Sequence, residues 1–244
     1  MLNSHRTELI VALDLPRADH ALALVEQLKD LPVIYKVGFE LFMSGGPELV
    51  RELGHRKQRV FLDLKFHDIP NTVARAAKQA ALLHAEMFTV HLAGGSAMLR
   101  AVRAELDEIP ALKPKMLGVS VLTSFDDVRW AEVTRALTSH AVDVGDSVIG
   151  VVEHAAGWGA DGVVCSAHEL EFVRSRFPGL YTVVPGIRPE GFKADDQARV
   201  MTPAQAHDLG AHAIVMGRPI TGASDPRQVV ESVLKDLSVH ALSA

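Results

Sequence analysis

Leu9-Ile10-Val11-Ala12-Leu13-Asp14-Leu15-Pro16-Arg17 is an apolar run that ends on a carboxylate and then turns without a glycine. A run of this length and composition reads as a strand buried on both faces. The turn decides between two folds. An open, doubly wound sheet that binds a dinucleotide needs a glycine-rich first strand-to-helix turn, and Asp14-Leu15-Pro16-Arg17 has none of those glycines. Working outward, similar runs recur at Val33–Phe39, Val60–Leu64, Met87–Leu92, Met116–Leu122, Gly162–Cys165, Tyr181–Val184 and Ala213–Met216. Between them, apolar residues fall at helical spacing, as in Ala21, Leu22, Val25 and Leu28, or Val73, Ala76, Ala77, Ala80 and Leu83. Pro70-Asn71 and Asp225-Pro226 are helix-start signals. Eight alternating βα units predict an α/β fold, a closed (β/α)8 TIM barrel of roughly 250 residues.

Composition agrees. The 244 residues fit one large domain or two small ones, and no Pro- or Ser-rich linker or composition break divides them, so a single catalytic domain over 1–244 is expected. Lys and Arg number 25 against 30 Asp and Glu, a net charge of −5, which excludes a generally basic nucleic-acid binder and leaves room only for a local basic patch. With 48% hydrophobic and 23% charged residues the chain buries a core rather than remaining disordered. The lone Cys165 cannot form an internal disulfide. Met1–Arg6 carries no apolar signal region, and no apolar run approaches about 18 residues, so a cytoplasmic protein without membrane contact is expected.

In such barrels chemistry gathers where the strands end. Those ends are Asp14, Lys36, Asp63 with Lys65, His91, Thr123 and Ser166, followed by Pro185-Gly186-Ile187-Arg188 and Gly217-Arg218-Pro219. So many polar strand ends are costly unless paired or used, and they predict a polar pocket on one rim. Asp63 and Lys65 are two apart and share a strand face, with Leu62 and Leu64 turned toward the helices. The bland alternative is a buried ion pair closing the barrel mouth, which need not stabilise much. Lys36 and Asp68 weigh against it, since a structural pair needs no further charges at neighbouring strand ends.

Gly217-Arg218 after an apolar strand suits an anion: glycine lets the backbone approach, and arginine adds a charge-assisted fork. Gly186 and Arg188 lie in the other loop of the pair that holds phosphate in these barrels. The polar stretch 188–202 reads either as a solvated connector or as a lid over that phosphate. No HExxH or His-Cys grouping marks a metal site among the 12 histidines. His5, His20, His55, His84 and His240 read as surface residues, His91 as pocket or core, Cys165 as a small buried hydrophobe, and Trp130 and Trp158 as packing residues.

The run Asp63-x-Lys65-x-x-Asp68-Ile-Pro-Asn-Thr72 resembles the signature of the orotidine 5′-monophosphate decarboxylase family. The resemblance spans essentially the whole chain, through Val11-Ala-Leu-Asp14, Tyr35-Lys36-Val-Gly, Val121-Leu-Thr123-Ser, Pro185-Gly-Ile-Arg188, Asp196-Gln197 and Gly217-Arg218-Pro-Ile-Thr221, with no departure at these positions. It implies a (β/α)8 homodimer without metal or organic cofactor that converts orotidylate to UMP and CO2. It further implies that Lys65 donates the proton to C6, that Asp63 and Asp68 complete the charged array, and that Asp68 and Thr72 reach into the partner's site. Lys36 would join the array and contact the ribose, Asp14 the ribose hydroxyls, and Thr123 the pyrimidine edge. Arg188, Gln197, Gly217 and Arg218 would hold the phosphate.

Loss of CO2 from C6 leaves an electron pair that the ring cannot delocalise, a task usually given to a cofactor acting as electron sink. A lysine ammonium beside C6 could stabilise that charge and then protonate it. It must be charged for both, which flanking carboxylates favour. Two rivals remain. A metal-dependent sugar-phosphate decarboxylase or aldolase shares Asp-x-Lys-x-x-Asp, but needs a metal-binding carboxylate where Lys36 stands, and a cation is a poor neighbour for Mg2+. A catalytically silent phosphate-binding protein would leave the charged array unused.

Overall fold

The computed structural model describes residues 7–189 and 201–243. Eight parallel strands close into a barrel in sequence order, the last pairing with the first. They are β1 (Glu8–Ala12), β2 (Val33–Gly38), β3 (Arg59–Phe66), β4 (Met87–His91), β5 (Lys115–Val119), β6 (Gly162–Val164), β7 (Tyr181–Val184) and β8 (Ala213–Met216). The helices are α1 (Ala18–Leu28), α2 (Phe39–His55), α3 (Pro70–Leu82), α4 (Gly95–Asp107), α5 (Asp127–Thr138), α6 (Val144–Trp158), α7 (Ala167–Arg176), α8 (Pro203–Asp208), α9 (Arg218–Thr221) and α10 (Pro226–Ser243). The expected (β/α)8 architecture is therefore observed, with a second helix inserted between β5 and β6.

Strand register sorts the side chains. Ile10 pairs with Ile34, Phe61 with Met87, and Val183 with Ala213. All point into the barrel, where with Leu117 they form an apolar inner core. The alternate residues, such as Leu9, Val11, Leu62, Phe88 and Val90, face outward and join the helices in a second, larger core. Helix spacing follows the same logic: Ala21, Leu24, Val25 and Leu28 make the buried stripe of α1. Pro70 occupies the first turn of α3, and Asp225 accepts the Gln228 N–H at 3.0 Å at the start of α10, so both helix-start signals are used.

Two strands end three residues before their apolar runs do. β1 stops at Ala12, where Leu13 N–H bonds the Lys36 carbonyl and the chain then turns through Leu15. β5 stops at Val119, and Val121 and Leu122 continue as the wall of a cleft. Periodicity registers only that a residue is apolar; a ligand cleft and a core ask for the same side chains.

The base of the barrel is closed by charge. Arg59 bridges Glu8 at 2.6 Å and Glu86 at 2.5 Å, and the Tyr181 hydroxyl donates to Glu8 at 2.6 Å. Gly162 lets β6 lie against β7, since a Cβ there would fall 2.1 Å from the Tyr181 carbonyl oxygen.

Candidate active site

At the opposite end, where the strands finish, lies a cleft in two halves that share Lys36, Asp63, Pro185 and Val215. One half encloses about 550 Å³ over an apolar floor of Phe61, Val119, Val164, Val183 and Val215, with Lys65 and Thr123 at its edge. The other encloses about 710 Å³ and is polar, lined by Asp14, Gly186, Arg188, Gly217 and Arg218 among others. An elongated ligand with a flat apolar ring at one end and an anion at the other fits this division.

Along one wall the charges alternate. Asp14 accepts from Lys36 Nζ at 2.8 Å, Lys36 Nζ lies 3.7 Å from Asp63, and Asp63 accepts from Lys65 Nζ at 2.9 Å. The turn after β1, then β2 and β3, supply these groups in order, because adjacent parallel strands bring their C-terminal ends side by side. Lys36 is 9% exposed and is held between two carboxylates. The Lys65 side chain retains 28% exposure and reaches into the cleft.

β3 is irregular here. Leu62 pairs with Phe88 and Phe66 with Val90, so three residues of β3 stand opposite Thr89 alone. Lys65 takes φ +42°, left-handed backbone that a lysine rarely adopts. Bulges of this kind re-aim side chains beside active sites. The shared face of Asp63 and Lys65 is retained, but through a bulge rather than through regular pleating.

The loop after β7 turns at Gly186, φ +79°, a conformation glycine takes without strain. It brings Arg188, 5% exposed, to the cleft, while the Arg188 N–H donates to the Met201 carbonyl at 3.1 Å. Gly217 and Arg218 follow β8, and α9 begins at Arg218.

Asp68 and Thr72 line neither half of the cleft. Both are exposed at the start of α3, where Asp68 accepts the Ile69 N–H at 2.6 Å. Gln197 lies outside the described residues. The His91 ring lies tilted by 36° against that of His67, centroids 5.3 Å apart; burial, then His67 and Lys65, hold its pKa below the ordinary imidazole range against an opposite pull from Asp63. Ser166 stands at the N-cap of α7, where the Glu169 carboxylate takes the Ser166 N–H at 2.7 Å. Cys165 is a buried free thiol whose pKa burial pushes up, and Trp130 donates to Ser147 at 2.7 Å, so both act in packing. Among the described residues no three His, Cys, Asp or Glu side chains are grouped to hold a metal ion, and no helix is long and apolar enough to cross a membrane.

Reading strand ends alone missed Thr89. It sits inside the barrel two residues before His91, wholly buried, and a polar residue at an inward position of an otherwise apolar strand was the available signal. The apolar floor was missed too, since its residues look like ordinary core.

Comparison with known proteins bears on this geometry. Residues 7–233 match the model of the Orotidine 5'-phosphate decarboxylase / HUMPS family. An orotidine 5'-phosphate decarboxylase of Legionella pneumophila (strain Corby) is 46% identical over 231 residues, covering 94% of this chain and 99% of its own. One from Pseudomonas syringae is 41% identical over 237 residues, covering 97% and 100%. The crystal structure of orotidine 5'-phosphate decarboxylase from Lactobacillus acidophilus superposes with a TM-score of 0.81 at 36% identity, over 95% of this chain and 99% of that one.

Proposed function

The chain belongs to the orotidine 5′-phosphate decarboxylase / HUMPS family, and we propose that Lys65, Asp63, Asp68 and Lys36 carry its reaction, the conversion of orotidine 5′-monophosphate to UMP and CO2 in pyrimidine biosynthesis. The observation that carries this reading is the alternating row Asp14–Lys36–Asp63–Lys65 beside an apolar floor that opens into an arginine-lined half. The pyrimidine lies on the apolar floor, with Thr123 at its polar edge. Asp14 and Lys36 hold the ribose, and Arg188, Gln197, Gly217 and Arg218 take the phosphate.

The bond from C6 to the carboxylate breaks and CO2 leaves, with the electron pair remaining on C6. The Lys65 ammonium stabilises that charge and gives C6 its proton, and neutral Lys65 is reprotonated from solvent. Asp63 holds Lys65 at 2.9 Å and faces the substrate carboxylate. Two like charges about 4 Å apart repel by about 4 kcal/mol at an effective dielectric of 20. This repulsion is relieved when CO2 departs, whereas the attraction to Lys65 grows as charge gathers on C6. Phosphate binding, remote from C6, supplies energy that orders the site.

No organic cofactor or metal enters this scheme. The enzyme acts as one barrel domain in the cytoplasm, as a homodimer in which Asp68 and Thr72 complete the partner's site. Exposure of Ile69, next to Asp68 at the start of α3, and of Phe39 and Met43 at the start of α2 supports apolar surface that a partner would cover. The test is orotidylate consumption followed by ultraviolet absorbance with and without EDTA. Rapid loss unaffected by chelator is expected. No reaction would overturn the proposal, and chelator-sensitive turnover of sugar phosphates would establish the metal-dependent alternative.

A further inference from the structure

The bulge in β3 withdraws the Lys65 amide from the regular ladder, and a buried N–H without a partner is costly. Thr89 fills the gap: its Oγ1 accepts the Lys65 N–H at 2.8 Å. A hydroxyl carries one proton, and that of Thr89 goes to Asp63 Oδ1 at 3.0 Å. The same carboxylate oxygen receives Lys65 Nζ at 2.9 Å. Backbone and ammonium of one lysine are therefore tied, through Thr89 and Asp63, into a closed ring of hydrogen bonds. Thr89 is fully buried, lines neither half of the cleft, and as a β-branched residue has a stiff χ1 that fixes where its hydroxyl points.

We propose that Thr89 is a positioning residue for the decarboxylation, setting Lys65 and Asp63 relative to the reacting carbon without touching substrate. The assignment rests on the reaction and residue roles set out above. Left-handed backbone at a lysine persists only where its surroundings over-determine it. Without the hydroxyl, the Lys65 amide and one Asp63 acceptor lose their shared partner, and Lys65 relaxes toward ordinary backbone angles. A displacement of about 1 Å at a catalytic group can cost on the order of 100-fold in rate.

Thr89→Val keeps the shape and removes only the hydroxyl, while Thr89→Ser keeps the hydroxyl and removes the methyl. In Thr89→Val, kcat is expected to fall about 10- to 100-fold while KM and UMP affinity stay within about threefold. Thr89→Ser should restore most of the rate, and thermal melting of each variant shows whether the fold is retained. Should Thr89→Val not fold, Thr89→Ala takes its place against the same Ser comparison. The assignment is overturned if the hydroxyl-free variant turns over like wild type, if it changes KM alone, or if Thr89→Ser is as slow as Thr89→Val. Wild type without turnover would instead overturn the decarboxylase reading and this assignment with it.

Discussion

Lys65 combines two demands in one residue: an ammonium that must reach the cleft and a backbone turned to φ +42° to aim it. Its replacement by Ala should lower kcat by at least about 10^4-fold, since charge stabilisation and proton donation are lost together. UMP should still bind within a few-fold by calorimetry, because the arginine-lined half of the cleft is untouched; near-normal turnover would remove Lys65 from the mechanism. Arg218 lies in that other half. Arg218→Ala should weaken UMP about 10- to 100-fold, the worth of a charge-assisted hydrogen bond, and leave uridine affinity unchanged. Equal weakening of uridine, which has no phosphate, would count against the seat. At this scale much was visible in the sequence: Asp14, Lys36, Asp63, Lys65, Thr123, Arg188, Gly217 and Arg218 all line the cleft. Thr89 showed only as a polar residue in an apolar strand, because its importance comes from the amide N–H it accepts and not from a position at a strand end.

Individual strands and helices explain how those residues meet. β7 and β8 follow their sequence runs from end to end, because both are short and bounded by clear signals. β1 and β5 stop early, and the leftover apolar residues turn or line the cleft. The bulge in β3 has no sequence signature, since Asp63-Leu64-Lys65 reads as plain alternation. β6 shows how tightly two staves can be set. Gly162→Ala would place a methyl against the Tyr181 carbonyl, and overpacking of this kind costs about 2 kcal/mol. The thermal midpoint should drop by roughly 4–8 °C for a chain of this size. An unchanged midpoint would mean that β6 and β7 can separate without loss.

At the level of the whole molecule, the barrel has a catalytic rim and a charged base, and each can be tested. If Asp68 serves the neighbouring subunit, mixing inactive Lys65→Ala and Asp68→Ala proteins should restore about a quarter of wild-type activity, since half the dimers are hybrids and each has one intact site. No recovery despite proven subunit exchange would refute a shared site. At the base, burial opposes ionisation of Glu8, but the Tyr181 hydroxyl and the Arg59 guanidinium outweigh it, so its pKa lies below the usual value of 4.5. A carboxyl whose pKa is lowered by folding stabilises the fold fully above its unfolded value, and this contribution disappears as pH falls through the lower, folded one. Stability measured by urea unfolding should therefore decline below about pH 4.5, and less steeply in Glu8→Gln. Identical slopes for the two proteins would show that Glu8 does not contribute.

The sequence by itself determined the repeated βα order, the barrel class and the charged residues that meet in the cleft, because these depend on local periodicity and on side chains placed at the ends of apolar runs, and its motifs carried the resemblance to the family. Only the tertiary structure decided the rest. Closure of β8 against β1 brings Gly217 and Arg218 beside Asp14. Strand pairing chooses which apolar residues floor the cleft, and a bulge against β4 makes Thr89 the link between Lys65 and Asp63. The physical reason is that hydrogen bonds between strands join residues far apart in the chain, as with Thr89 to Lys65, 24 positions away. No local pattern records which partner a buried N–H will find.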